Sequence, residues 1–331
     1  MSEAAKMAEP RIESVSLRAE EVGEKVKDKA ERVLSSYNVK VREEGYDAIM
    51  IIGTDSYLLH ILQNMRTEAP IFHVSPPSYN TFYSSVDWEE LDLGVRKISR
   101  GEYHVDHFTR LKVALDREIY SLNEVAIFPS RSATLMEYSL YVDDEMLWKD
   151  RADGVIVSTP AGSTAYAFSA GGPMVIRGAK VFIAVPVNSL NPMRRSLVIS
   201  DDSKLVIEPS SVTSIEAVID GISRIKVKNR ILIEKGTPAP FIRLFKKLGE
   251  NIERKAKLSI EQGIPPSAKF VLKMLQIYGE ASIKELLERT GLPERTIRYA
   301  LSVLVKEGIV KRVTNPRNLQ QRIYKVAEKA K

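Results

Sequence analysis

The length and composition of the chain exclude several classes of protein. The sequence has 331 residues, 44% of them hydrophobic and 28% charged, so two or three domains with apolar cores are expected. It contains no cysteine, which excludes disulfides, thiolate catalysis and cysteine-ligated zinc. No apolar run approaches the roughly 20 residues of a membrane helix, and the first residues lack an apolar signal core. A cytoplasmic protein with no membrane partner is therefore expected.

The net charge is unevenly distributed along the chain. The whole sequence carries +6, but residues 265–331 hold 14 lysines and arginines against 6 glutamates, a net +8 that leaves −2 for the rest. A basic tail on a mildly acidic body is typical of proteins that bind an anionic polymer. On charge alone, a solvated basic tail without a partner is an equal alternative.

The N-terminal residues predict an α/β unit. Residues 19–35 have apolar side chains at helical spacing, and the apolar run 46–52 predicts a buried strand. That strand leads into Gly53-Thr54-Asp55-Ser56, and a helix is predicted over 57–65. A strand, a tight turn and a helix in this order are typical of nucleotide-binding α/β folds, and we assign residues 1–110 to this part.

From about residue 112 the pattern changes to short β-rich runs. Ten such runs, beginning with LKVAL and ending with RILIE, are separated mostly by Gly, Asp, Asn or Ser. This pattern favours a β-rich middle domain, which we assign to residues 111–243. A charged, helical connector is predicted over 244–264.

Residues 265–331 predict an α+β winged helix-turn-helix domain. Helices are expected over 267–278, 283–289 and 294–307, and Ser282 can cap the second of them. Two strands, 310–314 and 321–326, would form the wing. A small helical oligomerisation domain is the alternative.

The third helix and the wing carry the side chains predicted to contact DNA. Arginine bonds guanine edges or phosphates, and arginines in a wing suit the DNA backbone or the minor groove. The predicted contacts are Arg295, Thr296, Arg298 and Tyr299 on the helix and Arg312, Arg317 and Arg322 in the wing. The segment GLPERTIRYAL, followed by a short arginine-rich wing, resembles winged-helix domains of archaeal transcription regulators, which implies duplex DNA as a partner.

A stretch rich in small and hydroxyl residues surrounds a short apolar strand at 155–157. It reads DGVIVSTPAGSTAYAFSAGGPMV and runs from Asp153 to Val175. Glycine permits close approaches that a side chain would block, hydroxyls can bond sugar hydroxyls or amides, and Tyr166 offers a ring face for a base. A Gly/Ser-rich β-turn explains any short part of this stretch, whereas its full length favours a nucleotide site.

The stretch resembles the dinucleotide-binding signature of the NAD kinase family, DGxxxSTPTGSTAYxxSAGGP. Three further pieces agree in order, namely Leu122-Asn123-Glu124-Val125, Ser189-Leu190 and Asp220-Gly221. The resemblance covers about residues 46–245 and implies an α/β part and a β-rich part, with NAD between them, in a homo-oligomer. The residues that it implies for binding NAD or NADP are Asn123, Glu124, Asp153, Ser158, Thr159, Gly162, Ser163, Thr164, Ala165, Tyr166 and Ser169.

The phosphate loop of that family, GGDGTLL, is altered in this chain. Asp55 matches the family's catalytic acid, but Thr54, Ser56 and Tyr57 replace two glycines and a threonine. A Cβ in such a loop blocks the approach of an anion to the backbone amides or strains the backbone. In the next family motif, NxGxLGFL, the Asn and both glycines are lost, and two prolines, 76 and 77, remove amide donors.

Three functions are compatible with these features. The first is a homodimeric DNA-binding transcriptional regulator whose catalytically impaired NAD kinase-like body senses NAD(H), NADP(H) or another adenine nucleotide. The second is an active NAD kinase with a regulatory winged helix, in which Asp55 would act as a base with ATP and Mg²⁺. The third is a structural DNA-binding protein with an empty body. The altered loop favours the first over the second, the intact 158–173 stretch favours it over the third, and no protein metal site is predicted.

Overall fold

The computed structural model describes most of the chain, with gaps. The described residues are 9–20, 24–77, 79, 81–131, 133–210, 214–244, 267–268, 271–272, 275, 280–290, 292–306, 308–315 and 318–326. The chain forms two compact units, Met1–Asn251 and Ile252–Lys331, and each is described by itself. Within the described ranges, no helix is long and apolar enough to cross a bilayer.

The first unit contains a ten-stranded sheet whose N-terminal part is parallel. Four strands pair there in the order β2-β1-β3-β4, and three helices accompany them. The strands are β1 (Ser14–Ala19), β2 (Lys40–Val41), β3 (Ala48–Ile52) and β4 (Ile71–Val74). The helices are α1 (Glu24–Ser36), α2 (Asp55–Asn64) and α3 (Leu91–Ile98), the last preceded by a 3₁₀ turn at Trp88–Glu90.

Strand β3 is covered on both faces, which explains why all of its residues are buried. Met50 belongs to a core with Leu34 of α1 and Val95 of α3, whereas Ile51 belongs to a core with Leu62 of α2. A strand covered on both faces is expected to be a continuous apolar run, as AIMII is. This layering places the turn that contains Asp55 at the carboxyl end of β3.

Strand β16 (Ile231–Arg243) joins the parallel part of this sheet to an antiparallel part. It pairs in parallel with β4 and antiparallel with β5 and β13. The antiparallel strands are β5 (His104–Ala114), β6 (Glu118–Ser121), β8 (Met136–Val142), β9 (Glu145–Ala152) and β13 (Leu205–Pro209).

A second, six-stranded sheet is antiparallel and shares a core with the first. Its strand order is β12-β11-β10-β7-β14-β15. The strands are β7 (Glu124–Pro129), β10 (Gly154–Ser158), β11 (Val181–Val187), β12 (Leu197–Ser200), β14 (Ile215–Ile219) and β15 (Ser223–Val227). Val125 and Val157 of this sheet lie in one core with Tyr138 and Ile207 of the larger sheet. A 3₁₀ turn, Gly162–Thr164, and the short helix α4 (Tyr166–Ser169) connect β10 to β11.

The second unit is a small α+β domain with its own core. Its elements are α5 (Ile283–Thr290), α6 (Glu294–Lys306), β17 (Glu280–Ser282), β18 (Val310–Asn315) and β19 (Asn318–Val326). The strands pair in the order β17-β19-β18. Ile297 and Leu301 of α6 are buried beside Leu286 of α5, Val271 and Tyr324. The Ser282 hydroxyl accepts the Glu285 amide, and the Glu285 carboxylate accepts the Ser282 amide, so a reciprocal capping box starts α5.

The predicted fold class is confirmed, with local corrections. The chain has an α/β N-terminal part, a β-rich part and a C-terminal winged-helix domain. The helix predicted over 19–35 was placed too early, because residues 14–19 form β1 and α1 begins at Glu24. The wing was predicted with two strands, whereas β17 adds a third by pairing with β19. The predicted connector lies outside the described residues except for Leu244.

Candidate functional site

The stretch rich in glycine and hydroxyl residues folds onto the backbone of the turn at Leu122 and Asn123. The Thr159 amide donates to the Asn123 carbonyl at 2.9 Å, and the Thr159 hydroxyl donates to the Leu122 carbonyl at 2.6 Å. A Cβ added at Gly162 would stand 2.1 Å from the Asn123 carbonyl oxygen. Position 162 therefore requires glycine for this close approach.

Most of the predicted hydroxyl groups support this loop from within. The buried hydroxyl residues are Ser158, Thr159, Ser163 and Thr164. The Ser163 hydroxyl donates to the Pro160 carbonyl at 2.7 Å and accepts the Val175 amide at 3.0 Å, which ties the two ends of the stretch together. The structure thus gives these side chains a supporting role, and a direct contact between them and a ligand stays a prediction.

Other predicted residues have accessible side chains. They are Asn123, Asp153, Ala165, Tyr166 and Ser169. Tyr166 is 45% exposed, and its ring stacks on Phe128 with 6.0 Å between the centroids. The Asp153 carboxylate accepts the Asn188 side-chain amide at 2.7 Å. An exposed aromatic face suits the flat base of a nucleoside, and amide and carboxylate groups suit its hydroxyls.

Asp220 holds the turn that carries Asn123 and Glu124. Its carboxylate accepts the Ser121 hydroxyl at 2.6 Å and the backbone amides of residues 122, 123 and 124 at 3.2, 2.8 and 3.3 Å. Asp220 is 7% exposed and has a left-handed backbone, with φ 50°. The resemblance singled out the Asp220-Gly221 pair, but nothing in the sequence indicated that the carboxylate holds this turn.

Tyr83 is a second residue that sequence analysis missed. Its hydroxyl donates to the side-chain oxygen of Asn123, and its ring is buried, with 2% of the residue exposed. Tyr83 belongs to the α/β part and Asn123 to the β-rich part. The bond therefore joins the two parts at the position where the resemblance implies a dinucleotide.

The altered phosphate loop is filled by the protein's own groups. The Glu20 carboxylate accepts the Thr54 amide at 2.7 Å and the Thr54 hydroxyl at 3.1 Å. The Thr54 hydroxyl in turn accepts the Tyr57 amide at 3.3 Å and caps α2. The Tyr57 ring lies against Gly53, because a Cβ added at Gly53 would be only 2.5 Å from it. The ring is partly buried, and this burial raises the pKa of Tyr57 above its ordinary value. A carboxylate and an aromatic ring thus occupy the space around the loop amides.

Asp55 is held by backbone donors from the segment that follows β4. One carboxylate oxygen accepts the Phe82 amide at 2.7 Å, and the other accepts the Tyr83 amide at 3.1 Å. His73 lies beneath the loop, with its Nε2 2.9 Å from the Gly53 carbonyl oxygen, and burial lowers the pKa of His73. The imidazole is therefore neutral at physiological pH. Asp55, through its two bonds to the backbone, links the loop to residues 82–83.

The predicted DNA contacts lie on α6 and on the wing strands. Arg295, Arg298 and Tyr299 are exposed and Thr296 is half-buried, whereas the opposite side of α6 faces the core. The Arg298 guanidinium pairs with Glu294, one helical turn earlier, at 2.6 Å. Arg312 on β18 and Arg322 on β19 are exposed. Arg317 lies outside the described residues.

Comparison with known proteins identifies both units. A model of the ATP-NAD kinase C-terminal domain matches residues 122–242, and a winged helix-turn-helix DNA-binding model matches residues 271–311. A NAD kinase from Methanothermobacter thermautotrophicus is 34% identical over 240 residues, which cover 70% of this chain and 82% of that protein. This chain belongs to the NAD kinase family. A NAD kinase from Methanosarcina barkeri is also 34% identical, over 62% of this chain and 76% of its own length.

Solved structures of NAD kinases resemble the first unit. The crystal structure of an NAD kinase from Archaeoglobus fulgidus in complex with ATP has a TM-score of 0.65 and 27% identity, and the match covers 74% of this chain and 98% of that one. Yeast NADH kinase complexed with NADH has a TM-score of 0.63, with coverage of 75% and 87%, and at 17% identity it supports the fold alone. The predicted combination of an NAD kinase-like body and a winged helix-turn-helix domain is confirmed.

Proposed function

We propose that this protein is a DNA-binding transcriptional regulator whose NAD kinase-like body binds NAD(H), NADP(H) or another adenine nucleotide without phosphorylating it. The observation that carries the proposal is the hydrogen bond from the Thr54 amide to the Glu20 carboxylate. In the NAD kinase family this loop binds phosphates, whereas here the Glu20 carboxylate occupies the Thr54 amide.

The occupied loop argues against the binding of a nucleoside triphosphate in the family's manner. A phosphate that approached Thr54 would have to displace Glu20 and would be repelled by its charge. The Tyr57 ring covers Gly53 from another side. Pro76 and Pro77 lack the amides that could otherwise bond the phosphates. Since phosphoryl transfer depends mainly on positioning and electrostatics, losing these contacts should remove most of the catalysis.

The position of Asp55 agrees with a structural role. As a catalytic base, its carboxylate would have to accept a proton from a ribose hydroxyl. Both of its oxygens instead accept backbone amides, those of Phe82 and Tyr83. In this protein we assign Asp55 to holding residues 82–83 in place.

The loop that would frame a dinucleotide site, by contrast, keeps its internal hydrogen bonds. The loop at 158–164 is tied to the turn at Asn123 by bonds that leave the Asn123 and Tyr166 side chains accessible. We propose that these two residues contact the ligand, together with Glu124, Asp153 and Ala165. The NAD kinases that are 34% identical to this chain support a dinucleotide as the ligand.

The regulatory part of the proposal concerns DNA and a homodimer. Winged helices commonly bind paired half-sites as two-fold dimers, so two recognition helices α6 would act together. A dinucleotide that binds the DNA-competent arrangement with a different affinity would shift the population of that arrangement. We further propose that the protein acts in the cytoplasm.

An active NAD kinase is the competing function. The names of the relatives favour it, as does the retention of Asp55. In that case ATP and Mg²⁺ would be required, and the Glu20 carboxylate would have to leave Thr54 during each turnover.

Duplex DNA binding by the full chain tests the regulatory part. Against a duplex selected from a random pool, affinity should be roughly 10³-fold lower at 200 mM than at 50 mM salt, if about six phosphates are contacted. Arg298→Ala should weaken binding to that duplex by about 1–3 kcal/mol if the guanidinium contacts a base. Fluorescence anisotropy at several salt concentrations measures both effects.

A matched control is Arg224→Ala, which removes an exposed, paired arginine from β15 of the body. It should leave DNA affinity unchanged. Binding that ignores salt and tolerates Arg298→Ala would instead indicate that the second unit is an oligomerisation module.

A further inference from the structure

Tyr83 links the altered phosphate loop to the residue proposed to contact the dinucleotide. Its backbone amide donates to Asp55, and its side-chain hydroxyl donates to the amide oxygen of Asn123. We propose that Tyr83 is a positioning residue, which orients the Asn123 side chain for the dinucleotide. This inference rests on the proposed function.

The backbone around Tyr83 is clamped from two sides. Asp55 accepts its amide at 3.1 Å, while the Arg243 guanidinium donates to the Tyr83 carbonyl at 3.0 Å and to the Ser84 carbonyl at 2.7 Å. Arg243 is 6% exposed and lies at the end of β16. Because the half-buried Asp55 and the buried Arg243 fix the two polar sides of this segment, it has little freedom to move.

The Tyr83 ring is fixed as well. It packs edge-on against Phe82 and Phe108, with 5.0 and 5.8 Å between centroids, and stacks with Phe241 at 6.0 Å. Burial raises the pKa of Tyr83 well above its ordinary value of 10, so the group stays a neutral phenol. A neutral phenol retains the proton that it donates to Asn123.

This hydrogen bond selects one orientation of the Asn123 side chain. The backbone of Asn123 is already held by Asp220, which accepts its amide at 2.8 Å. Since the phenol engages the side-chain oxygen, the side-chain N–H groups are what Asn123 presents to a ligand. A side chain that is oriented beforehand loses less rotational freedom on binding, so the ligand binds more tightly.

The same contacts give Asp55 a role without phosphoryl transfer. In this chain the carboxylate fixes the backbone of Tyr83, and Tyr83 fixes Asn123. The residue that matches the family's catalytic acid would thereby contribute to affinity for the dinucleotide.

A double-mutant cycle on the full chain tests the inference. Calorimetric titration with NAD, NADH, NADP and NADPH is applied to the wild type, Tyr83→Phe, Asn123→Ala and the double variant. Tyr83→Phe should weaken binding about tenfold, which corresponds to about 1.4 kcal/mol. In the Asn123→Ala background the same change should have almost no further effect, because Tyr83 acts through Asn123.

Tyr138→Phe is the matched control, since Tyr138 is another buried tyrosine whose hydroxyl bonds a different residue, Asp150. It should leave dinucleotide affinity unchanged, and thermal unfolding of each free variant checks that it is folded. If Tyr83→Phe bound dinucleotides with wild-type affinity, or if the two substitutions had independent effects, only the proposed role of Tyr83 would be overturned. Failure of the wild type to bind any of the four dinucleotides would overturn dinucleotide binding in the proposed function as well.

Discussion

NADP formation from NAD by the full-length protein, with ATP or polyphosphate and Mg²⁺, should be at least about 10³-fold slower than a typical turnover of 10 per second. The reason lies in the phosphate loop, where Glu20 takes the Thr54 amide and Tyr57 covers Gly53. Loss of a single preorganised donor commonly costs about 10²–10³ in rate, and several are lost here. A coupled assay for NADP over hours measures the residual rate.

Asp55→Asn distinguishes residual activity of this protein from a contaminating kinase. Any trace rate that survives the substitution belongs to the contaminant. A turnover of about 1–10 per second that disappears in Asp55→Asn would establish an active NAD kinase and refute the impaired body.

Asp220→Ala should lower the free energy of unfolding of the first unit by about 3–5 kcal/mol. The substitution leaves the Ser121 hydroxyl and the amides of residues 122–124 without their acceptor in a buried turn. For a unit of this size the midpoint of thermal unfolding should fall by on the order of 10 °C. Differential scanning calorimetry of the full chain measures it.

Asp116→Ala serves as the control, because Asp116 is exposed and pairs only on the surface with Lys228. Its effect should stay below about 1 kcal/mol. If Asp220→Ala were equally mild, Asp220 would not be what holds the turn at Asn123.

The parts of the fold with clear apolar patterns could be predicted from the sequence. The buried run AIMII, the short strands of the β-rich half and the helices α5 and α6 follow from periodicity and turn residues. The helix predicted over 267–278 lies mostly outside the described residues. Strand β1 was missed because Ser14 and Ser16 are polar, although both are buried. Ser14 can be buried because its polar groups are hydrogen-bonded. The Asp47 carboxylate accepts the Ser14 amide at 2.8 Å and the Ser14 hydroxyl at 2.9 Å.

The candidate site could be predicted where it depends only on residues that are close in the sequence. The loss of glycines at positions 54 and 56 indicated an altered phosphate loop. The carboxylate that fills this loop could not be predicted, because Glu20 lies 34 residues before Thr54 and meets it only through the pairing of β1 with β3. The bond between Tyr83 and Asn123 could not be predicted either, because it joins residues of two different parts of the body.

The burial of the hydroxyl side chains in the 158–164 loop could not be predicted from the sequence either. A run such as STPAGST is equally compatible with side chains that face a ligand and with side chains that tie a loop together. The hydrogen bonds in the structure assign three of these residues to the second role. Ser158 and Thr159 bond the turn at Leu122 and Asn123, and Ser163 bonds Pro160 within the loop.

Coupling between dinucleotide binding and DNA binding is measured by a linkage titration. DNA affinity of the full chain is measured with and without saturating NAD, NADH, NADP or NADPH, in the wild type and in Asn123→Ala. One of these dinucleotides should change DNA affinity by roughly 5–150-fold, and DNA should change the affinity for that dinucleotide by the same factor. Asn123→Ala should weaken the response at a fixed dinucleotide concentration. A dinucleotide that binds the body and leaves DNA affinity unchanged would contradict this coupling and make the body a scaffold.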